Sequence, residues 1–254
     1  TEYILDTRGN TLAEINPRGD TTRYGYDNND NQIYMVNVYN DTIRTTYNSF
    51  NKIATQKDAM SNVTAFEYDL FGQQNKIIGP DNTFTRREYD SQGNVIASID
   101  EIGRRTEFEY DHENRVVKTT ANDGTFTEVI YDALGRRVTT IDARGNPTEY
   151  VYDEVGNNTI VRDAKGNETV YEYDELNRRT AMVDALGQRT EYDYDDYDRL
   201  IRTNFHDGTY KEVGYDLVGR KVSETDQANK TTAFEYDSVG NLVKVIDAMG
   251  FETE

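Results

Sequence analysis

Tyrosine recurs every 21 residues in this chain, at Tyr26, Tyr47, Tyr68, Tyr89, Tyr110, Tyr131, Tyr152, Tyr173, Tyr194, Tyr215 and Tyr236, with no insertion or deletion. Asp follows each of these except Tyr47, where Asn48 stands, and Leu5-Asp6 holds the same register one step earlier. A fixed period of this size constrains the fold more than composition does, because each copy must find its partners in its neighbours. Residues 1–254 therefore read as a single array of about twelve 21-residue repeats, expected to be a segment of a longer protein.

With the tyrosine as position 1, two columns set the turns. Position 5 is Gly9, Gly72, Gly93, Gly135, Gly156, Gly219 or Gly240 in seven repeats and Asn or Asp in the other five. Position 15 is Gly in eight repeats, Asn in three and Ser61 in one. Gly, Asn and Asp tolerate positive φ. Two left-handed positions ten residues apart leave room for two short strands per repeat, turning at D-x-x-G and again at D-A-x-G-N. The intervening segments agree. Positions 18 to 1 run T-x-Y-x-Y, as in Thr148-Glu149-Tyr150-Val151-Tyr152, with period-2 alternation, and no window carries the helical i, i+3, i+4, i+7 spacing. The expected fold is all-β, built of tandem antiparallel β-hairpins. A lone hairpin is at best marginal, so neighbours must pair edge to edge. A sheet of about two dozen strands must twist and coil, into a hollow shell, a tube or a superhelix.

Register is read from where the apolar residues gather. A four-residue loop over positions 2–5 pairs position 20 with position 8, as Phe108 with Val117. It also pairs position 19 with position 9, as Glu107 with Lys118 and Glu191 with Arg202. This register is preferred over a three-residue loop, which sets the aromatics against polar positions 7 and 9. A second pattern overlies the first. Where position 20 loses its aromatic (Arg87, Val129, Val213), position 17 gains one (Phe84, Phe126, Tyr210). The expectation is that both variants deliver an aromatic to one common packing site.

Composition then excludes functions. A formal charge of −19 disfavours nucleic acid and anionic membranes as partners. No apolar run approaches the ~18 residues of a membrane-spanning helix. There is no cysteine, hence no disulfide or thiolate chemistry. His112 and His206 fall at unrelated turn positions, and no nucleophile, zinc or phosphate-loop motif is present. The acidic turns form rows: Asp132, Asp153 and Asp174 on one edge, Asp142, Asp163 and Asp184 on the other. Copies two strands apart are about 9 to 10 Å apart, too far to share a calcium ion with its ligands at about 2.3 to 2.6 Å. Each Asp is instead expected to accept its own turn's N–H groups. No catalytic, cofactor or metal residue is assigned, and the chain is not expected to be an enzyme. The tyrosine column reads first as a packing ladder and second as a sugar-stacking platform.

The run [YF]-x-Y-D-x-x-G-R, as at Tyr150 to Asn157 and Val213 to Arg220, resembles the Rhs/YD-repeat family, as does the D-A-x-G-N-x-T turn. The resemblance covers the whole chain. It implies a very large secreted or cell-surface protein, mostly bacterial, whose β-sheet strip spirals into a hollow shell. In toxin members the shell encloses a cleaved C-terminal toxic domain. This sequence has no D-P-x-G-type cleavage core and keeps a stricter period. The implied role is a non-catalytic wall that encloses a toxin or other cargo. The alternative is an adhesion or carbohydrate-binding array, or a filament subunit. Its partners are then flanking repeats or end-to-end copies of itself, with an encapsulated polypeptide or a surface glycan as further readings.

Overall fold

A computed structural model describes residues 1–253. It contains 25 short strands and, among those residues, no helix. The chain divides into two compact units, Thr1–Glu128 and Val129 onward, with the division falling inside the strand Phe126–Tyr131. Within each unit the strands form an antiparallel meander in chain order. In the first, Thr21–Tyr26 pairs with Gln32–Val36, which pairs with Thr42–Tyr47. In the second, Pro147–Tyr152 pairs with Asn158–Arg162, which pairs with Glu168–Tyr173. Each strand between the first and the last is thus shared between two hairpins, one closed by the turn at positions 2–6 and the other by the turn at positions 12–16.

The twenty-four turns among the described residues share one backbone geometry. In the D-x-x-G turn at Asp153, the N–H of Asp153 donates to the carbonyl of Asn157 at 3.0 Å and the N–H of Gly156 donates to that of Asp153 at 3.2 Å. The D-A-x-G-N turn at Asp142 repeats this, with Asp142 to Asn146 at 3.0 Å and Gly145 to Asp142 at 2.9 Å. Every position-5 and position-15 residue has positive φ, and no other described residue does. The non-glycine members lie between 56° and 72°, including Ser61 at 72°. These are three-residue loops, each a type I turn closed by a left-handed residue.

The loop length corrects the expected register. Phe108 faces Thr119 rather than Val117, and Glu109, not Glu107, faces Lys118. Likewise Asp193 faces Arg202, while Glu191 faces Asn204. The three-residue loop sets Tyr110 opposite Val116, and a bulge between Glu109 and Tyr110 then shifts the ladder by one residue. The extra residue is position 8, here Val117. The same bulge recurs along the D-x-x-G hairpins, as at Val151/Tyr152 and Gly214/Tyr215. The D-A-x-G-N hairpins carry no such shift: Thr139 faces Glu149 and Ile141 faces Pro147.

No large side chain among the described residues is fully buried, and the buried apolar residues are Ala13, Ala97 and Ala181. Each unit is therefore a single-layer sheet with two half-exposed faces. One face carries positions 9, 11, 17, 19 and 21. There Lys118 lies 3.8 Å from Glu109 and 3.7 Å from Glu128, and Arg162 reaches Glu149 at 2.7 Å and Glu168 at 2.6 Å. The other carries positions 10, 18 and 20, with Tyr150 facing Val161 and Tyr171 facing Met182. The two aromatic variants consequently do not share a packing site. Phe84, Phe126 and Tyr210 move to the charged face, where they sit under Lys76, Lys118 and Arg202 at 4.8, 4.5 and 3.9 Å. Position 9 supplies the cation in those repeats and only alanine at Ala97 and Ala181, whose position-17 partners Arg105 and Arg189 pair with glutamates instead.

Candidate functional site

The feature that recurs is a clasp between consecutive repeats, and it begins with the tyrosine column. Every one of these tyrosines is half-buried. The hydroxyl of Tyr152 donates to the carbonyl of Arg137 at 2.8 Å, fifteen residues earlier. Tyr47, Tyr68, Tyr89 and Tyr110 do the same to Gln32, Ile53, Gln74 and Val95 at 2.8 to 2.9 Å. Tyr173, Tyr194 and Tyr236 reach Asn158, Arg179 and Lys221 at 2.9 Å. The acceptor is position 7 of the preceding repeat. Its strand pairs with the tyrosine's strand only from position 9 onward, as Thr139 with Glu149. The phenol thus supplies a donor just beyond the end of the backbone ladder, which a phenylalanine cannot do.

The second half of the clasp is position 6, which sequence reasoning missed. Its backbone closes the D-x-x-G turn and its side chain reaches the next repeat. Arg136 Nε donates to Asp132 Oδ2 at 2.7 Å, and Arg136 Nη1 donates to the Asp153 carbonyl at 3.1 Å. The same guanidinium lies 4.8 Å from the centre of the Tyr152 ring. Arg178, Arg199 and Arg220 cover Tyr194, Tyr215 and Tyr236 in the same way, at 5.0, 4.5 and 4.8 Å. Where position 6 is Asn, the reach is shorter and the next turn offers a side-chain acceptor. Asn10 donates to Asp30 at 2.6 Å, and Asn94 and Asn157 donate to Asn114 and Asn177 at 2.8 Å. The signal was present in the sequence as Asn at position 6 with Asn or Asp twenty residues later. It is hidden because those residues also satisfy the left-handed turn.

The turn aspartates are saturated locally. Asp142 Oδ1 accepts the N–H groups of Arg144 and Asn146 at 2.8 and 2.9 Å, and Oδ2 accepts the Asn146 amide at 3.0 Å. The hydrogen bonds from the Asn146 side chain and backbone hold the Asp142 carboxyl below its ordinary pKa. Asp58 is lowered likewise, first by the Asn62 side chain. In the variant turns the carboxylate moves two places on: Asp123 Oδ1 accepts the N–H and hydroxyl of Thr125 at 2.9 and 2.7 Å. Among the described residues no group of three or more His, Cys, Asp or Glu is disposed to hold a metal. A cleft of about 380 Å³ between Asp100, Arg104, Asn122 and Asp123 is open to solvent. Among the described residues no helix is long and apolar enough to cross a membrane.

The RHS repeat model matches residues 89–125, 131–168, 152–189, 173–209 and 215–251, more than half of the chain. No curated protein matches. Among solved structures, one of TcdB2-TccC3-TEV aligns with TM-score 0.66 at 17% identity, over 96% of this chain and 16% of that one. A structure of TcdB2-TccC3 without its hypervariable C-terminal region gives 0.67 at 16% identity, again over 96% of this chain and 16% of that one. The Photorhabdus luminescens Tc holotoxin pore, in a TccC3 mutant form, gives 0.50 at 14% identity, over 96% and 18%. At these identities the likeness is one of fold, and the chain spans about a sixth of the length of the first two.

Proposed function

The chain belongs to the RHS repeat family, and on that premise we propose that it is a stretch of non-catalytic β-sheet wall in a large secreted or cell-surface protein. The observation that carries this reading is the recurring clasp. Repeat after repeat commits its tyrosine hydroxyl and its position-6 side chain to the repeat beside it, so the side chains the period selects go into continuity of the sheet. The turn carboxylates are likewise used within their own loops. A wall of this kind suits enclosure of a polypeptide cargo. The likeness in fold to TcdB2-TccC3, where the matched region is about a sixth of a longer chain, supports a stretch of wall over a filament subunit.

The carbohydrate-platform reading is weaker. A sugar needs an open ring face, and the faces of Tyr152, Tyr194, Tyr215 and Tyr236 are covered by arginines. Electron microscopy of the purified chain, together with soluble glycans titrated against tyrosine fluorescence, tests the choice. The wall reading expects sheet-like strips and no saturable fluorescence change. Saturable quenching by a glycan in the micromolar range, kept in Tyr194→Phe and lost in Tyr194→Ala, would overturn it.

A further inference from the structure

The two edges of the second unit use the same turn, yet they display different residues at its tip. At position 4 of the D-x-x-G turns stand Leu134, Val155, Leu176, Tyr197, Val218 and Val239, apolar or aromatic in six repeats out of six and 65 to 81% exposed. The equivalent position 14 on the opposite edge is mixed, running Arg144, Lys165, Leu186, Asp207, Ala228, Met249. The backbone geometry is the same in both sets, so the turn itself does not call for an apolar tip. Nothing within the unit buries the row.

Each tip is also held rigidly. The N–H groups of Leu134, Val155, Leu176, Tyr197, Val218 and Val239 all donate to Oδ1 of their turn's aspartate, at 2.9 to 3.1 Å. A preformed row loses little freedom on binding. Successive tips are two strands apart, about 9.6 Å. A side chain inserted midway would then lie about 4.8 Å from each neighbour, close to ordinary apolar contact. A surface that matches such a pitch over six tips has to repeat at the same pitch, and this row itself does. At about 100 Å² of apolar area per side chain, six tips on each of two edges give on the order of 1,200 Å², the lower end of specific interfaces.

We infer that the D-x-x-G edge of the second unit docks a second copy of this chain, edge to edge and antiparallel, with the two rows interdigitated. A two-fold arrangement pairs the row with itself and closes. It places Leu134 of one copy beside Val239 of the other and Leu176 beside Tyr197.

The test is sedimentation of the purified chain over a range of concentrations, with a doubly charged variant Leu176→Glu/Tyr197→Glu. Expected are a dimer for the native chain, at least tenfold weaker association for the variant, and unchanged circular dichroism and melting temperature. Leu186→Glu, at an exposed apolar residue on the other edge, should leave association unchanged. Since the chain has no cysteine, Leu134→Cys and Val239→Cys chains oxidised together should cross-link to each other and not to themselves. A monomer at all concentrations, equal association of the Leu176→Glu/Tyr197→Glu variant, equal loss with Leu186→Glu, or self-cross-linking of Leu134→Cys would each overturn the proposal. All of these substitutions lie on exposed turn tips, so a variant that fails to fold would itself contradict the placement of the row.

Discussion

A half-buried tyrosine whose hydroxyl replaces a missing ladder bond sets a modest scale for single-residue effects. Tyr152→Phe removes one hydrogen bond to the Arg137 carbonyl and should cost about 1 kcal/mol. Tyr152→Ala also exposes the clasped arginine and should cost about 2 to 3 kcal/mol, less than a large-to-small change in a closed core. Denaturant melts check both, and equal stability of native and Tyr152→Phe chains would show that the hydroxyl bond contributes nothing. Gly156 has φ of 100°, and a carbon added at its α-position meets open space. Conformation alone therefore decides substitution there. Asn holds the equivalent position at Asn51, Asn114 and Asn177. Gly156→Asn should accordingly cost under about 1 kcal/mol, whereas Gly156→Val should cost about 2 or more because branched residues disfavour positive φ. Melts that place the Gly156→Val and Gly156→Asn chains at the same midpoint would contradict this.

At the scale of the hairpin the clasp makes a pairwise prediction. Arg136 bridges to a turn containing Gly156, while Asn157 bridges to a turn containing Asn177. Arg136→Asn alone should lose the cation–π contact with Tyr152 and the bond to the Asp153 carbonyl, about 1 kcal/mol together. Adding Gly156→Asn restores a side-chain acceptor, so the pair should couple favourably by about 0.5 to 1 kcal/mol in a double-mutant cycle. Simple additivity would refute the exchange of one clasp for the other. The hairpin also shows how far sequence reading goes. Positions 5 and 15 reported their left-handed φ through residue type, and every one of them, Ser61 included, adopts it. The strand count per repeat and the antiparallel order followed from the same two columns. The bulge at position 8 did not follow. Val117, Val138 and Thr159 there are ordinary strand residues, and nothing in their chemistry distinguishes a bulged position from a paired one. Apolar clustering therefore favours a loop one residue too long, and the expected pairs Glu107–Lys118 and Glu191–Arg202 depend on that loop. The position-6 clasp is hidden for a different reason: its partner is twenty residues away, and the left-handed turn alone accounts for the residue type there.

For the whole molecule, the absence of large buried side chains among the described residues means that stability is spread over ladders, turns and clasps. Acid should therefore act through many small contributions. Asp142, Asp58, Asp100 and Asp163 each have a pKa lowered in the folded chain, first by a hydrogen bond from the side chain at the turn's closing position. A lowered folded pKa stabilises above the unfolded value of about 3.9 and loses that stabilisation as pH falls through the folded value. Melting temperature should thus hold from about pH 7 to 5 and fall below about pH 4; a decline complete by about pH 5 would assign acid sensitivity elsewhere. The last expectation concerns the period itself. Because contacts join only neighbouring repeats, one repeat can be excised if the register is kept. Deleting residues 150–170 joins Glu149 to Tyr171 and restores the T-x-Y-x-Y strand with its Asp174 turn, whereas deleting residues 151–170 leaves one residue too many. That single residue turns the preceding strand's side chains to the opposite faces. Pro147 and Glu149, at positions 17 and 19, would then be directed to the tyrosine face, and Thr148 and Tyr150, at positions 18 and 20, to the ion-paired one. The 21-residue deletion should melt cooperatively within a few degrees of the native chain, and the 20-residue deletion should be strongly destabilised although it removes less. Hydrogen exchange on the flanking strands separates the two cases. Equal protection in both deletions would mean that the repeats are held by something other than the face-specific ladder and the clasp.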